Sequence, residues 1–164
     1  MSSLAELLRY QIAYTAWADR RVMSAVKQLA PDELDHDFKT SEKSIRCTLA
    51  HIYRAERMWL SRITGPLLEF RVEGDDDVTA LFANWPGISE KWINWSRTIT
   101  DQGAAAEITY QDLRKNTWTH PLWKIILQVV NHSTHHRGQA IGFIRALDHT
   151  PPNVDSITFA REHE

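Results

Sequence analysis

Apolar side chains recur every three or four positions through four long stretches of the chain, the spacing that marks one face of a helix. Leu4, Leu8, Gln11, Thr15, Ala18, Val22, Val26 and Leu29 predict a first helix over about residues 3–29, with Ser2 or Ser3 as its cap and Pro31 beyond its end. Gln11 and Thr15 interrupt this seam with polar groups, placed either to hydrogen-bond across to a neighbouring helix or to face a cavity beside a metal. A second helix is predicted from residues 41–44 to about 63, ahead of Gly65-Pro66, with Thr48, Ile52, Ala55 and Trp59 on its inner face and His51 at the edge of that stripe. The acidic triplet Asp75-Asp76-Asp77 reads as a solvated cap for a third helix carrying Val78, Leu81, Trp85, Ile88, Trp92, Trp95 and Ile99. Pro86-Gly87 falls inside that repeat, so a kink or short break is expected there, with Ser89 able to recap the second half.

Between residues 107 and 120 the helical spacing fails. Ile108-Thr109-Tyr110 and Thr117-Trp118-Thr119 flank a polar turn and predict a small β-hairpin. Pro121 then suits the first turn of a long last helix, which ends before Pro151-Pro152. Its seam reads Leu122, Ile125, Val129, His132, His136, Gln139 or Ala140, Phe143 and Leu147. Gly138, Gly142 and Ala146 form a line of small residues one turn apart, expected to permit close approach of another helix within the bundle or at a dimer contact. The expected architecture is all-α, a bundle of long helices with one hairpin before the last of them, in a single domain over residues 1–164.

The seam of the last helix contains two imidazoles. Four residues advance a helix by slightly more than one turn, so His132 and His136 project about 40° apart and roughly 6 Å along the axis, a span one metal ion can bridge. A buried imidazole needs a hydrogen-bond partner or a metal to offset its lost hydration, and two in one seam favour a shared ligand. His135 points about 100° away from His136 and belongs to the helix flank. Two ligands hold a metal weakly, and His51 is the one other histidine inside an amphipathic helix, which makes it the third. His36, His120, His149 and His163 fall in loops, at element ends or in the tail. Cys47, one turn before His51, is a possible fourth ligand or a small buried hydrophobe.

Composition narrows the alternatives. A net charge of −2, with basic residues scattered among acidic ones, gives no general attraction to nucleic acid. No leader pattern and no apolar run of membrane-spanning length is found, so a cytoplasmic protein with no membrane partner is expected. The single cysteine excludes an internal disulfide and a cysteine-based zinc finger.

Three segments in this order are specific: Tyr14-x-x-Trp17-Ala18-Asp19, then Leu49-Ala50-His51-Ile52, then His132-x-x-His135-His136-Arg137-Gly138-Gln139. Together they resemble the DinB family of metal-binding proteins, related to YfiT-like and thiol-dependent transferase proteins, over nearly the entire chain. The resemblance implies a four-helix bundle of unusual connectivity, commonly a homodimer, with one divalent metal on three histidines. His51, His132 and His136 match those ligands residue by residue. Family members often carry asparagine where this chain has Asp19.

Three neutral nitrogen donors leave at least one coordination position open. Zinc or nickel is foremost among the metals expected, with iron, copper, cobalt and manganese also compatible. The resemblance tilts the chemistry toward metal-dependent thiol transfer, with a low-molecular-weight thiol as the small-molecule substrate. The alternatives are hydrolysis by a water on the metal, or a non-catalytic protein whose metal is structural or sensing. No carboxylate is placed as a general base: Glu56 lies about 140° around the helix from His51, and Asp19 is only a motif match.

Overall fold

The structure, a computed structural model, describes residues 3–163 and is mostly helical. Helix α1 spans Leu4–Val26 and α2 is the short Pro31–Asp35. Then come α3 (Ile45–Thr64), α4 (Val78–Ser96) and the short α5 (Asp101–Ala105). Strands β1 (Glu107–Gln111) and β2 (Thr117–Pro121) pair antiparallel, with Thr109 opposite Thr119, and lead into α6 (Leu122–Ala146). A last helix, α7, runs over Ser156–His163.

Local chemistry sets the helix starts. Ser3 accepts from the Glu6 amide while Glu6 reaches back to the Ser3 amide, a reciprocal cap that ties down two of the first free N–H groups of α1. Ser2, the other predicted cap, lies outside the described residues. Ser44 caps α3 by accepting from the Cys47 amide, and Asp77 caps α4 by accepting from Ala80.

The long helices bury their apolar stripes against one another: α6 packs on α3 and α1, α1 on α4, and α3 on α4. One end of the core gathers Val22, Val26, Leu49, Ile52, Leu81, Trp85 and Ile144, and the other gathers Leu8, Ile12, Leu60, Trp92, Ile126 and Val130. A separate cluster of Tyr14, Trp17, Ala18 and Phe159 fastens α7 to α1. Here Tyr14 Oη donates to the Val154 carbonyl at 2.9 Å and Trp17 Nε1 donates to Glu162 at 2.9 Å. The Tyr14-x-x-Trp17 segment therefore anchors the C-terminal helix.

Several expectations are corrected. Helix α4 passes through Pro86 without a break, and Ser89 is a buried residue inside it, not a new cap. Pro86 removes one amide from the hydrogen-bond ladder, and it sits on the exposed side, where water can satisfy the freed carbonyl. The acidic triplet is only partly a solvated cap: Arg57 clamps the Asp75 carboxylate with two bonds of 2.7 and 2.8 Å, and Arg54 bonds Asp76 at 2.6 Å. Gly138 and Gly142 are exposed, and a Cβ at either would meet nothing within 4 Å, so no helix among the described residues approaches them closely. Helix α1 ends at Val26, three residues short of the predicted limit.

Candidate metal centre

Helices α3 and α6 are in the most extensive contact of any pair, and the histidines lie along that contact. The side chains of His51, His132 and His136 converge so that one ligand nitrogen from each falls within 4.8 Å of the others. His51 Nε2 and His132 Nε2 stand 2.9 Å apart, and the three ring centroids are 4.4 to 4.8 Å from one another. Two nitrogens on a tetrahedral zinc with bonds of about 2.0–2.1 Å stand roughly 3.4 Å apart, so small ring rotations accommodate an ion. The three histidines proposed from spacing are thus brought together as a group that could hold a metal ion. Cys47 is free and half-buried and does not join the cluster, nor does His135, which is exposed with its ring edge-on to His136.

The far nitrogens of two rings face polar neighbours. His136 Nδ1 lies 2.7 Å from Gln139 Oε1, an acceptor, which places the proton on Nδ1 and leaves the Nε2 lone pair facing the cluster. His51 Nδ1 faces the Glu42 carboxylate at 3.7 Å, and Phe70 stands edge-on to the His51 ring with centroids 5.9 Å apart. His132 Nδ1 is buried without a hydrogen-bond partner among the described residues. Donor identity and orientation fit a borderline-soft divalent cation.

Electrostatics favour the neutral forms of His51 and His132. Burial is the main force lowering the His51 pKa, with the charge of His136 adding to it and Glu42 opposing it. Burial also pushes His132 down to about 4, reinforced by His136, His51 and His135. At neutral pH both therefore present lone pairs, the form a metal needs.

The seam of α6 is centred differently from the sequence reading. Ile126, Val130, Ser133, Arg137, Ala140 and Ile144 face the middle of the core, whereas His132 is only half-buried on the flank toward α3 and His136 is 8% exposed. On the inward face, Ser133 Oγ donates to Glu56 Oε1 at 2.7 Å, and Trp85 Nε1 donates to Glu56 Oε2 at 2.8 Å. Arg137 Nη1 donates to Asp19 Oδ1 at 2.9 Å, with both side chains 1% exposed. Burial, then the Asp19 carboxylate beside it, pushes the Glu56 pKa well above the usual carboxylate range, and burial also raises that of Asp19 against the pull of Arg137, its ion-pair partner. These carboxyl groups point away from the imidazoles. Thr15 also faces a small core cavity lined by Glu56 and Ser89, not the histidine cluster.

Sequence reasoning missed Gln139, Glu42 and Phe70 as neighbours of the cluster. Gln139 was accessible in principle, since three residues after His136 puts it on the same helix face. Glu42 and Phe70 come from irregular segments, where no periodicity reports position.

The chain from Leu67 to Phe70, the end of α3 at Met58 and Arg62, and the hairpin at Tyr110 line an open cavity of about 440 Å³, to which none of the three histidines contributes. No helix among the described residues is long and apolar enough to cross a membrane. A comparison with curated proteins finds no match. The model of the DinB family, however, matches residues 1–164, and the chain belongs to that family.

Proposed function

Starting from DinB membership and three imidazoles that converge from two helices, we propose that this protein binds one divalent transition metal, zinc or nickel foremost, through His51, His132 and His136. The four long helices then form the family's bundle, and the metal serves transfer chemistry on a small-molecule thiol. The observation that carries the reading is the convergence of three imidazole donors, one of which is oriented through its far nitrogen by Gln139. When bound by three nitrogens, such a metal offers an open position at which a thiol loses its proton more readily and an electrophile is polarised.

The chain's own residues define what else the site can do. Gln139 fixes the His136 tautomer. Phe70 screens one edge of His51 from water, and the Arg54 and Arg57 clamps on Asp75 and Asp76 hold the chain segment that carries Phe70. Glu56 and Asp19 are committed to the core, which leaves Glu42 as the carboxylate beside the cluster. That scarcity of a general base favours thiol chemistry, in which solvent takes the thiol proton, over hydrolysis. It equally favours a second reading, a metal that only ties α3 to α6 or reports metal supply.

Elemental mass spectrometry of untagged protein tests the first step. About one equivalent of metal is expected, lost in His51→Ala, His132→Ala and His136→Ala and kept in His135→Ala. Equal metal content in all four variants would refute the assignment. Adding a low-molecular-weight thiol to cobalt- or nickel-loaded protein should then produce a sulfur-to-metal charge-transfer band. A loaded protein whose spectrum ignores the thiol supports the structural or sensing reading instead.

A further inference from the structure

The arginines that the fold buries wholly or in part almost all find an acceptor. Arg9, Arg21, Arg46, Arg54, Arg57 and Arg137 each reach a carboxylate or a backbone carbonyl. Arg62, half-buried near the end of α3, reaches none among the described residues. Its guanidinium carbon lies 4.6 Å from the Trp59 ring centroid and 5.5 Å from that of Tyr110, so the two aromatic rings hold the group by its faces and leave its N–H edges unengaged. Burial lowers the Arg62 pKa, with the charges of Tyr110 and Asp112 opposing it. A guanidinium partly out of water and already fixed in orientation loses little freedom on meeting an anion.

Arg62 lines the open cavity of about 440 Å³ between the segment after α3 and the hairpin, a volume in the range of small-molecule sites. Much of the wall is apolar, from Met58, Leu67, Leu68, Phe70 and Leu113. Leu67 is 78% exposed on one lip and Leu113 65% on the other, so apolar surface on both sides of the cavity is left to water. Charge narrows the guest further. Lys115 adds a second cation to the lining, and Glu69 and Asp112 add two carboxylates, so the lining is neutral overall. Asp112 is committed to the hairpin turn: Trp118 Nε1, the Asn116 side chain and the amides of Asn116 and Arg114 all donate to it and hold its pKa down to about 2. A neutral lining with one unpaired guanidinium favours one negative charge and opposes two, which selects a carboxylate over a phosphate dianion. A carboxylate also matches the guanidinium fork with two parallel hydrogen bonds.

We propose that this cavity is a binding site for a small organic acid, with the carboxylate on the Arg62 guanidinium and the apolar body against Met58, Phe70 and the leucines of the two lips. Trp59 and Tyr110 are positioning residues that fix the guanidinium. The site contains none of the three histidines and stands whether or not they bind a metal.

Isothermal titration calorimetry of the full chain with octanoate tests the site. Octanoate should bind with one-site stoichiometry, and 1-octanol, which keeps the apolar body and lacks the charge, should bind roughly 10- to 100-fold more weakly. Octyl phosphate should also bind more weakly than octanoate. Arg62→Met keeps an apolar stem over the aromatic rings and should weaken octanoate binding by the same roughly 10- to 100-fold. Leu113→Asp, at an exposed turn position where folding is not at stake, places a negative charge at the lip and should weaken it too. His132→Ala should leave octanoate affinity unchanged, which separates this site from the histidine cluster. No octanoate binding, equal affinity for 1-octanol, or tighter binding of octyl phosphate would overturn the proposal. So would unchanged octanoate affinity in Arg62→Met or Leu113→Asp, or its loss in His132→Ala.

Discussion

On the inward face of α6, Ser133 and Arg137 reach acceptors on α3 and α1 at 2.7 and 2.9 Å. On its flank toward α3, the residues just before them, His132 and His136, meet another imidazole across the helix contact. Both faces carry polar groups out of water. The inward face matches a guanidinium to the Asp19 carboxylate and a hydroxyl donor to a Glu56 oxygen, so much of its bonding potential is spent within the protein. The flank brings together three like groups, and like imidazoles cannot all satisfy one another. Unspent lone pairs at a half-open position mark where a ligand adds something, and the paired groups of the inward face hold the two helices that present them.

The largest effect expected from breaking this contrast lies on the inward face. Arg137→Met strands the Asp19 carboxylate at 1% exposure and should cost about 3–5 kcal/mol of stability in urea unfolding. Adding Asp19→Asn should recover a substantial part, because the stranded charge then disappears. A single-variant loss under about 1 kcal/mol would mean the pair does not hold α1 to α6.

A smaller effect is expected on the flank. Gln139→Met keeps the bulk and removes the acceptor at 2.7 Å from His136 Nδ1, so zinc affinity measured by chelator competition should fall roughly 10- to 100-fold. Stability without metal should change little, since Gln139 is half-buried and no other hydrogen bond of its side chain is recorded among the described residues. Unchanged zinc affinity would show that Gln139 does not orient His136. A large stability loss would move Gln139 into the class of Arg137 and erase the difference between the faces.

The two faces were unequally legible in the sequence. The i, i+4 histidines advertised themselves because their spacing is local to one helix, and His51 followed because it lay in an amphipathic stretch. The long helices and the hairpin were likewise local signals. Ser133 and Arg137 interrupt no pattern that hydropathy can score, and their partners lie 77 and 118 residues away, so only the packed fold shows that Glu56 and Asp19 compensate them. This displaced the predicted seam of α6 toward the histidines and away from Ile126, Val130 and Ile144. Helices α2, α5 and α7, of five, five and eight residues, are too short for periodicity to register. Pro86 misled in the opposite direction, because a proline on a solvated helix face can be accommodated without a break.

The smallest effect concerns the outer surface of α6, which neither network uses. Gly138 lies inside the helix, is exposed, and has open space where a Cβ would stand. Glycine costs a helix interior about 0.5–1 kcal/mol relative to alanine, so Gly138→Ala should stabilise an isolated chain by about that amount. The same substitution would act with the opposite sign if a second copy of the chain packs its backbone against this line of small residues, because the added methyl would then press into the partner. Urea unfolding at two protein concentrations, together with the mass in solution, separates the cases. A stabilised variant of unchanged mass leaves Gly138 a solvent-facing position. A destabilised variant whose mass falls by half makes it part of a dimer contact, and the surface of α6 then has three roles: core, metal and partner.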